Sequence, residues 1–389
     1  MDRRLLWLSA GAFATSLMAF VFAGLLPLIS ASTGISISQV GYLVTVYSLS
    51  YAIGTPILSA IAGAADRRRV IALALVVFVA GNLLAATGSS YPSLMAAQVV
   101  MGSAAGLFAA TAQATAIALA GPEHRARAVA TVVGGTTIAV AFGAPFASLV
   151  GNLAGWRATY LVVGAFALIC LAVLWLRLPR GLPGLRLTLA ERVAALGQPG
   201  ILPSLGVTLL YLTGAFTVIA YMAPLAIDGA GLPVEMLPVM LLAFGIGAVA
   251  GNYASGQLAD RIGPKRMIVV ALLSTSVICV LITAILEFLP KDIAGPALIG
   301  IMLPWGVIGW TFPPAQASRL VGLAPELANL TLPLNVSAMY FGMALGSFVG
   351  GRALELAPAA ELALIAAPFP LIGLALLRFG ARKAAPLPA

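Results

Sequence analysis

The sequence predicts an all-α membrane protein with twelve transmembrane helices arranged as two pseudo-symmetric six-helix bundles. Three observations predict it. The 389-residue chain is 61% hydrophobic and only 8% charged, with a mean hydropathy of +1.07, whereas a soluble domain carries about 25% charged residues. It divides into apolar runs near the roughly 20 residues that a helix needs to cross the hydrocarbon. Threaded with the N-terminus inside, those runs leave all of the 21 Lys and Arg on one side except Arg157, Lys291 and Arg352. That asymmetry is the positive-inside rule. The runs are continuously apolar, not alternating, which excludes a transmembrane barrel.

The elements follow in order. The first run, 5–29, comes after Arg3 and Arg4. It exceeds the apolar core of about 7–15 residues of a signal peptide, so it is expected to stay as a first span. Spans at 41–63, 70–88, 93–120, 128–151 and 160–178 complete the first half. Residues 179–200, PRGLPGLRLTLAERVAALGQPG, form the longest polar-rich stretch. Thr188 to Leu196 within it suits a short amphipathic helix at the membrane surface. Spans at 201–226, 237–259, 267–288, 294–318, 328–351 and 361–379 make the second half. The expected domains are 1–178, a cytoplasmic linker 179–200, and 201–389, with both termini cytoplasmic in the cell (inner) membrane.

The halves repeat each other. ADRRRVIALAL begins at Ala65 after the second span, and ADRIGPKRMIVVALL begins at Ala259 after the eighth. A six-span repeat is the signature of a carrier built from two related bundles.

Other chemistries lose support. The net charge of +9 is scattered through short loops, so anionic lipid explains it and nucleic acid is not an expected partner. The single histidine, His124, lies beside Glu123 and Arg125, and Cys170 and Cys279 sit inside apolar runs without CxxC spacing. No metal and no cofactor are expected. A membrane-embedded enzyme would need a nucleophile, metal ligands or an acid pair, and the sequence has no mid-span His, Asp or Glu and no GxxxxGK(S/T) nucleotide loop. A lipid-embedded monomer acting on a small molecule is the expectation.

GQLADRIGPKR, Gly256 to Arg266, resembles the loop signature of the major facilitator superfamily. The first-half copy ending in DRRRVI resembles its twelve-span arabinose-efflux-like and drug-efflux branch. GLLPLIS at 24–30, YSLSYAIGTPIL at 47–58 and GAPFASLVGNLAGWRATY at 143–160 fit the same branch. The resemblance covers nearly the whole chain and implies a secondary transporter working by alternating access.

The loop residues also have a physical reading. Arg67 and Arg261 complement the negative ends of inward-running helices. Asp66 and Asp260 can pair with them or reach a helix N-terminus, which would make Asp66, Arg67, Gly256, Asp260 and Arg261 a latch. Gly263 suits a tight turn. The fifth span carries GGTTIAVAFGAP, where Gly143 and Pro145 resemble the glycine-rich motif of exporters. Gly342, Gly346 and Gly350 recur every four residues on the eleventh span and read as a packing face.

None of the 12 Asp and Glu falls mid-span. Proton-coupled carriers usually bury such a group. Drug exporters of the resembled family often place an acid in the first span and an arginine in the fourth, four residues before a glycine. Here the first span has no acid and the fourth has Gln98 before Gly102. Proton coupling therefore stays open, beside an uncoupled facilitator or an uptake carrier. The expected cargo is neutral or zwitterionic: a sugar, nucleoside, nucleobase or drug. Candidate lining groups are Tyr47, Tyr51, Gln98, Gln113, Tyr211, Thr217, Tyr221, Asn252, Trp305, Trp310, Gln316 and Asn335, with Thr15, Ser16, Thr111 and Tyr340 behind them. Amides and aromatics supply hydrogen bonds and flat stacking surfaces.

Overall fold

Backbone N–H and C=O groups in hydrocarbon have only each other as partners, so apolar runs of this length become helices. The structure is a computed structural model that describes residues 2–120, 122–182, 184 and 189–383; the side chains of Pro122, Arg125, Ala126, Asp260 and residues 379–383, and position 256, lie outside the description. Among the described residues there is no strand.

The chain divides into two compact units, Met1–Thr188 and Leu189–Ala389. The first holds α1 (Arg3–Leu17), α2 (Phe22–Thr33), α3 (Ile37–Ile61), α4 (Arg67–Thr87), α5 (Tyr91–Leu119), α6 (Arg125–Ala154) and α7 (Trp156–Arg177). The second holds α8 (Leu189–Leu196), α9 (Ile201–Ile219), α10 (Met222–Pro224), α11 (Leu237–Ile262), α12 (Pro264–Phe288), α13 (Lys291–Gly309), α14 (Phe312–Leu323), α15 (Ala328–Leu356), α16 (Leu362–Ala366) and α17 (Pro368–Lys383). Among the described residues eleven stretches are long and apolar enough to cross a membrane, and α1 with α2, bent by 45°, makes a twelfth when the pair is taken as one span. Exposed Leu73, Val76, Leu83, Val277 and Leu281 along α4 and α12 show the apolar exterior that lipid requires.

The same pairings recur in each unit. In the first, α1 packs on α6 and α3 on α5; in the second, α9 packs on α15 and α11 on α13. These are the first-with-fifth and second-with-fourth spans of each half. Small residues let the backbones meet, as they do generally between helices in lipid. Gly54, Gly102 and Gly106 serve α3 and α5, Gly247, Gly251 and Gly306 serve α11 and α13, and Gly342, Gly346 and Gly350 face α9.

Four spans expected as single rods are broken. Between α1 and α2 the N–H groups of Ala19 and Phe20 turn to the carbonyls three residues back. The seventh span breaks at Ala220–Tyr221, before Pro224, and continues through a π turn at Leu225–Gly229. The tenth breaks at Trp310–Thr311, before Pro313 and Pro314. The twelfth breaks before Pro368, where the Ala367 N–H is shared by the carbonyls of Ala363 and Leu364. Three of the four precede a proline, which supplies no N–H to the turn behind it. α6 in contrast runs unbroken through Pro145.

The helix α8 leaves Leu189 and Val193 exposed and buries Arg192 and Ala195. Burial lowers the Arg192 pKa from its ordinary value. The three cations that break the charge rule each have a local task. Arg157 donates to the Gly88 carbonyl at the end of α4, at 3.2 Å. Arg352 pairs with Glu355 one turn on. Lys291 lays its stem across Gly231.

Candidate functional site

The first unit uses its expected lining groups mostly as internal ties. In a regular helix the Thr15 carbonyl would accept from the Ala19 N–H, but that N–H turns to Ser16 at 3.1 Å. The Tyr47 hydroxyl donates to the Thr15 carbonyl instead, at 2.7 Å. Tyr47 thereby holds the bend between α1 and α2 from α3. Ser16 meets Thr136 of α6 at 3.0 Å, and Gly143 of α6 lies against Phe20 at the same bend. Thr15 and Thr111 return their hydroxyls to their own helices, on Gly11 and Leu107, as buried hydroxyls often do. Tyr51 is buried on α3.

The two α5 amides cannot share one site. They stand fifteen residues apart, about 22 Å along a helix. Gln98 is fully buried and its Nε2 donates to the Tyr160 hydroxyl of α7 at 3.4 Å. Gln113 is half-buried and has no hydrogen-bond partner among the described residues.

The loop residues hold the fold's corner. Asp66 caps α4 through the Arg68 N–H at 2.9 Å and accepts from the Gly181 N–H at 3.0 Å. Arg67 sends its backbone N–H to Leu182 at 3.4 Å and its guanidinium to the Ala114 carbonyl of α5 at 2.6 Å. The two do not pair with each other: the N-cap position turns the carboxylate onto backbone N–H groups, while the next residue points to α5. Gly181, Leu182 and Gly184 are thus stitched to the α3–α4 corner, with Gly184 against the Gly63 backbone. In the second unit Arg261 is exposed in the last turn of α11, and Gly263 makes the turn to α12 with φ 82°. The Asp260 side chain and position 256 lie outside the description.

A second tyrosine repeats the Tyr47 device. Pro313 has no N–H to give the Gly309 carbonyl, and the Tyr211 hydroxyl fills that place at 2.7 Å. Its ring stacks on Phe312 at 3.9 Å. We expect Tyr211→Phe to keep the ring contact but leave the carbonyl bare, at a cost of about 1–3 kcal/mol. Thermal unfolding in detergent checks this, and a Tm equal to the parent's would refute it.

Other candidates in this unit are also structural ties. Thr217 donates to Thr213 at 2.8 Å and Gly346 at 3.3 Å, and Tyr221 donates to Ser347 at 2.8 Å. Trp305 is buried edge-on to Phe244 at 5.3 Å. Tyr340 is buried on α15, while Asn252 and Trp310 are half-buried.

The densest polar group joins three helices of the second unit. Gln316 of α14 is fully buried and donates to the Ser204 carbonyl of α9 at 2.6 Å and to the Thr208 hydroxyl at 3.0 Å. Thr208 donates to Asn335 Oδ1 of α15 at 2.7 Å. Arg319, one turn on from Gln316, donates to the Ser204 hydroxyl at 2.9 Å. Sequence reading singled out Gln316 and Asn335 but not Ser204, Thr208 or Arg319. Closing the tenth span at 318 assigned Arg319 to a loop, although its i, i+3 spacing from Gln316 puts both on one helix face.

Residues 8–350 match the family profile of the Major Facilitator Superfamily. The chain belongs to that superfamily. It is 28% identical to the inner membrane transport protein YdhP of Escherichia coli K12, across 90% of this chain and 88% of that one. It is 33% identical to a chloramphenicol resistance protein of Streptomyces lividans, across 65% of each. In fold it is similar to a D-xylose-proton symporter, with a TM-score of 0.78 at 16% identity, covering 98% of this chain and 99% of that one. This facilitator-superfamily member is therefore a multi-pass membrane transporter and not an enzyme.

Proposed function

We propose that the protein exports a small neutral or zwitterionic organic molecule by alternating access, with both termini in the cytoplasm. One observation carries the reading. Each of the 12 acidic residues stands at a helix end or outside the α-helical spans. Asp66 is an N-cap, Glu287 and Glu355 sit in last turns, Asp292 sits in a first turn, and Asp228 is exposed in the π turn. A lipophilic cation needs a buried carboxylate, and helix interiors here offer amides, hydroxyls, aromatic rings and the Arg319 guanidinium. Export is supported by the likeness to a protein named for chloramphenicol resistance, and such a drug is uncharged and rich in hydrogen-bonding groups.

The same absence of a buried acid favours a second reading, an uncoupled facilitator. Flux of labelled chloramphenicol, uridine and xylose in proteoliposomes separates the two. A proton-coupled exporter loses uphill movement when the pH gradient is collapsed, whereas a facilitator keeps its downhill rate. No flux of any neutral solute, with or without a gradient, overturns the proposal. Gln113, half-buried and unpartnered among the described residues, is the preferred contact of the first unit. Gln113→Leu is expected to raise KM roughly fivefold, the worth of one hydrogen bond, at unchanged membrane yield.

A further inference from the structure

The polar group of the second unit has a direction. Gln316 Nε2 must be a donor, because one of its partners is the Ser204 carbonyl. Its second bond therefore makes the Thr208 oxygen an acceptor, and the Thr208 proton goes to Asn335 Oδ1 at 2.7 Å, the nearer of its two acceptors, the other being the Ser204 carbonyl at 3.4 Å. That fixes which end of the Asn335 amide is spoken for. Nδ2, a pure donor, is the end turned away from the chain of bonds and has no partner among the described residues.

Arg319 adds to the same face. Of the five N–H groups of a guanidinium, one is bonded among the described residues, to Ser204. The side chain is half-buried, and neither ion pair among the described residues involves it. Ser204 and Thr208 lie one turn apart on α9, so the guanidinium and the Asn335 amide are offset by about 6 Å along that helix. On the same helices, Ile201, Leu205 and Leu320 belong to one buried apolar cluster. Gln316 Oε1 is buried with no partner among the described residues, so the same group keeps one acceptor open to a bound molecule or a water.

A half-buried cation without a counter-charge, beside a second set of bare N–H donors, is complementary to an oxyanion. Two parallel N–H groups of an arginine match the two oxygens of a carboxylate. The apolar cluster strengthens such a bond by keeping water away. We propose that Arg319 and Asn335 bind the carboxylate of a zwitterionic cargo, with Gln316 and Thr208 as positioning residues that orient the amide. This deepens the carrier reading and rests on it: of the neutral and zwitterionic cargoes, it selects those that carry a carboxylate.

The test uses the full chain in an uncharged detergent, at constant ionic strength. Thermal shift is recorded with benzoate and phenylalanine, and with their amides as controls. The acids are expected to raise Tm and the amides not. Arg319→Gln and Asn335→Asp should each weaken the response roughly tenfold or more, the first by removing the charge and the second by placing an anion against the ligand. Arg319→Lys should retain part of it, which separates binding from a folding defect. Equal shifts from acid and amide, an undiminished response in Arg319→Gln, or no response to either acid overturns the proposal. So does stabilisation by phosphatidylglycerol alone, which would make this a lipid-headgroup site. Failure of the carrier reading looks different: wild-type proteoliposomes would then move no solute, whatever the acids do to Tm. Failure here alone would leave flux intact, with a KM in Arg319→Gln equal to the parent's.

Discussion

Gly346→Leu is expected to remove nearly all folded protein from solubilised membranes. A Cβ at this position of α15 would collide with the Thr213 carbonyl and lie 2.9 Å from the Thr217 nitrogen and 3.0 Å from Phe216 Cβ. Two of those neighbours are backbone atoms of α9 and cannot swing aside. Gly342 and Gly350, one turn to either side, face Leu209 and Thr217 in the same way. The helices therefore touch through three successive turns of bare backbone, and one large side chain must push them apart along that length. Overpacking costs about 1–3 kcal/mol where a core can adjust, and this seam has little room to do so. Total stability is only about 5–15 kcal/mol. Gly300→Leu is the control, because nothing lies within 4 Å of a Cβ there. The measurement is the monodisperse peak in size-exclusion chromatography, relative to the parent. A Gly346→Leu peak as large as that of Gly300→Leu would contradict the seam.

Thr208→Val should give the second-largest loss. The side chains are nearly the same size, so packing is kept and only the hydroxyl goes. Asn335 Oδ1 then loses its donor, and Gln316 Nε2 loses one of its two acceptors, both in a buried site. Each orphaned group costs about 1–3 kcal/mol in water-soluble proteins, and less in lipid, where bonds of this kind average about 0.6 kcal/mol. We expect about 2 kcal/mol, near a thirtyfold fall in the folded-to-unfolded ratio. The amide of Asn335 also becomes free to turn over. A variant that unfolds at the parent's temperature would show that the relay is not made.

The spans were legible because one physical ruler, hydrocarbon thickness, sets them and the sequence carries few charges to blur it. Their ends were less so. Helices continue past the apolar run when a cap supports them, as at Ser90, which starts α5 at Tyr91, or when they simply persist into polar residues, as α15 does to Leu356. The break at Trp310 had a visible cause in Pro313 and Pro314, but a window of average hydropathy ignores which N–H is missing. The bend after Leu17 has no proline within it and left no local mark.

Site chemistry was legible by residue type and not by role. Tyr47 and Tyr211 read as lining groups because an aromatic hydroxyl offers a hydrogen bond and a stacking surface. Each instead serves a carbonyl freed on another helix, which is visible only once the chain is folded. Gln98, paired with Tyr160, looks the same in sequence as Gln113, which has no such partner among the described residues. Arg319 fell one residue outside the expected span, whose end at 318 was five residues short of Leu323, where α14 stops.

The fourth span of the first unit, α5, is continuous over 29 residues, while its counterpart in the second unit is α13 and α14 with two prolines at the joint. A straight rod resists flexing because each bond along it must stretch in turn. At the joint the Gly309 carbonyl has already exchanged its helix bond for the Tyr211 hydroxyl, so flexing there breaks no helix bond at that carbonyl. Between these two matching spans the stiffness is thus unequally shared, with the joint in the second unit.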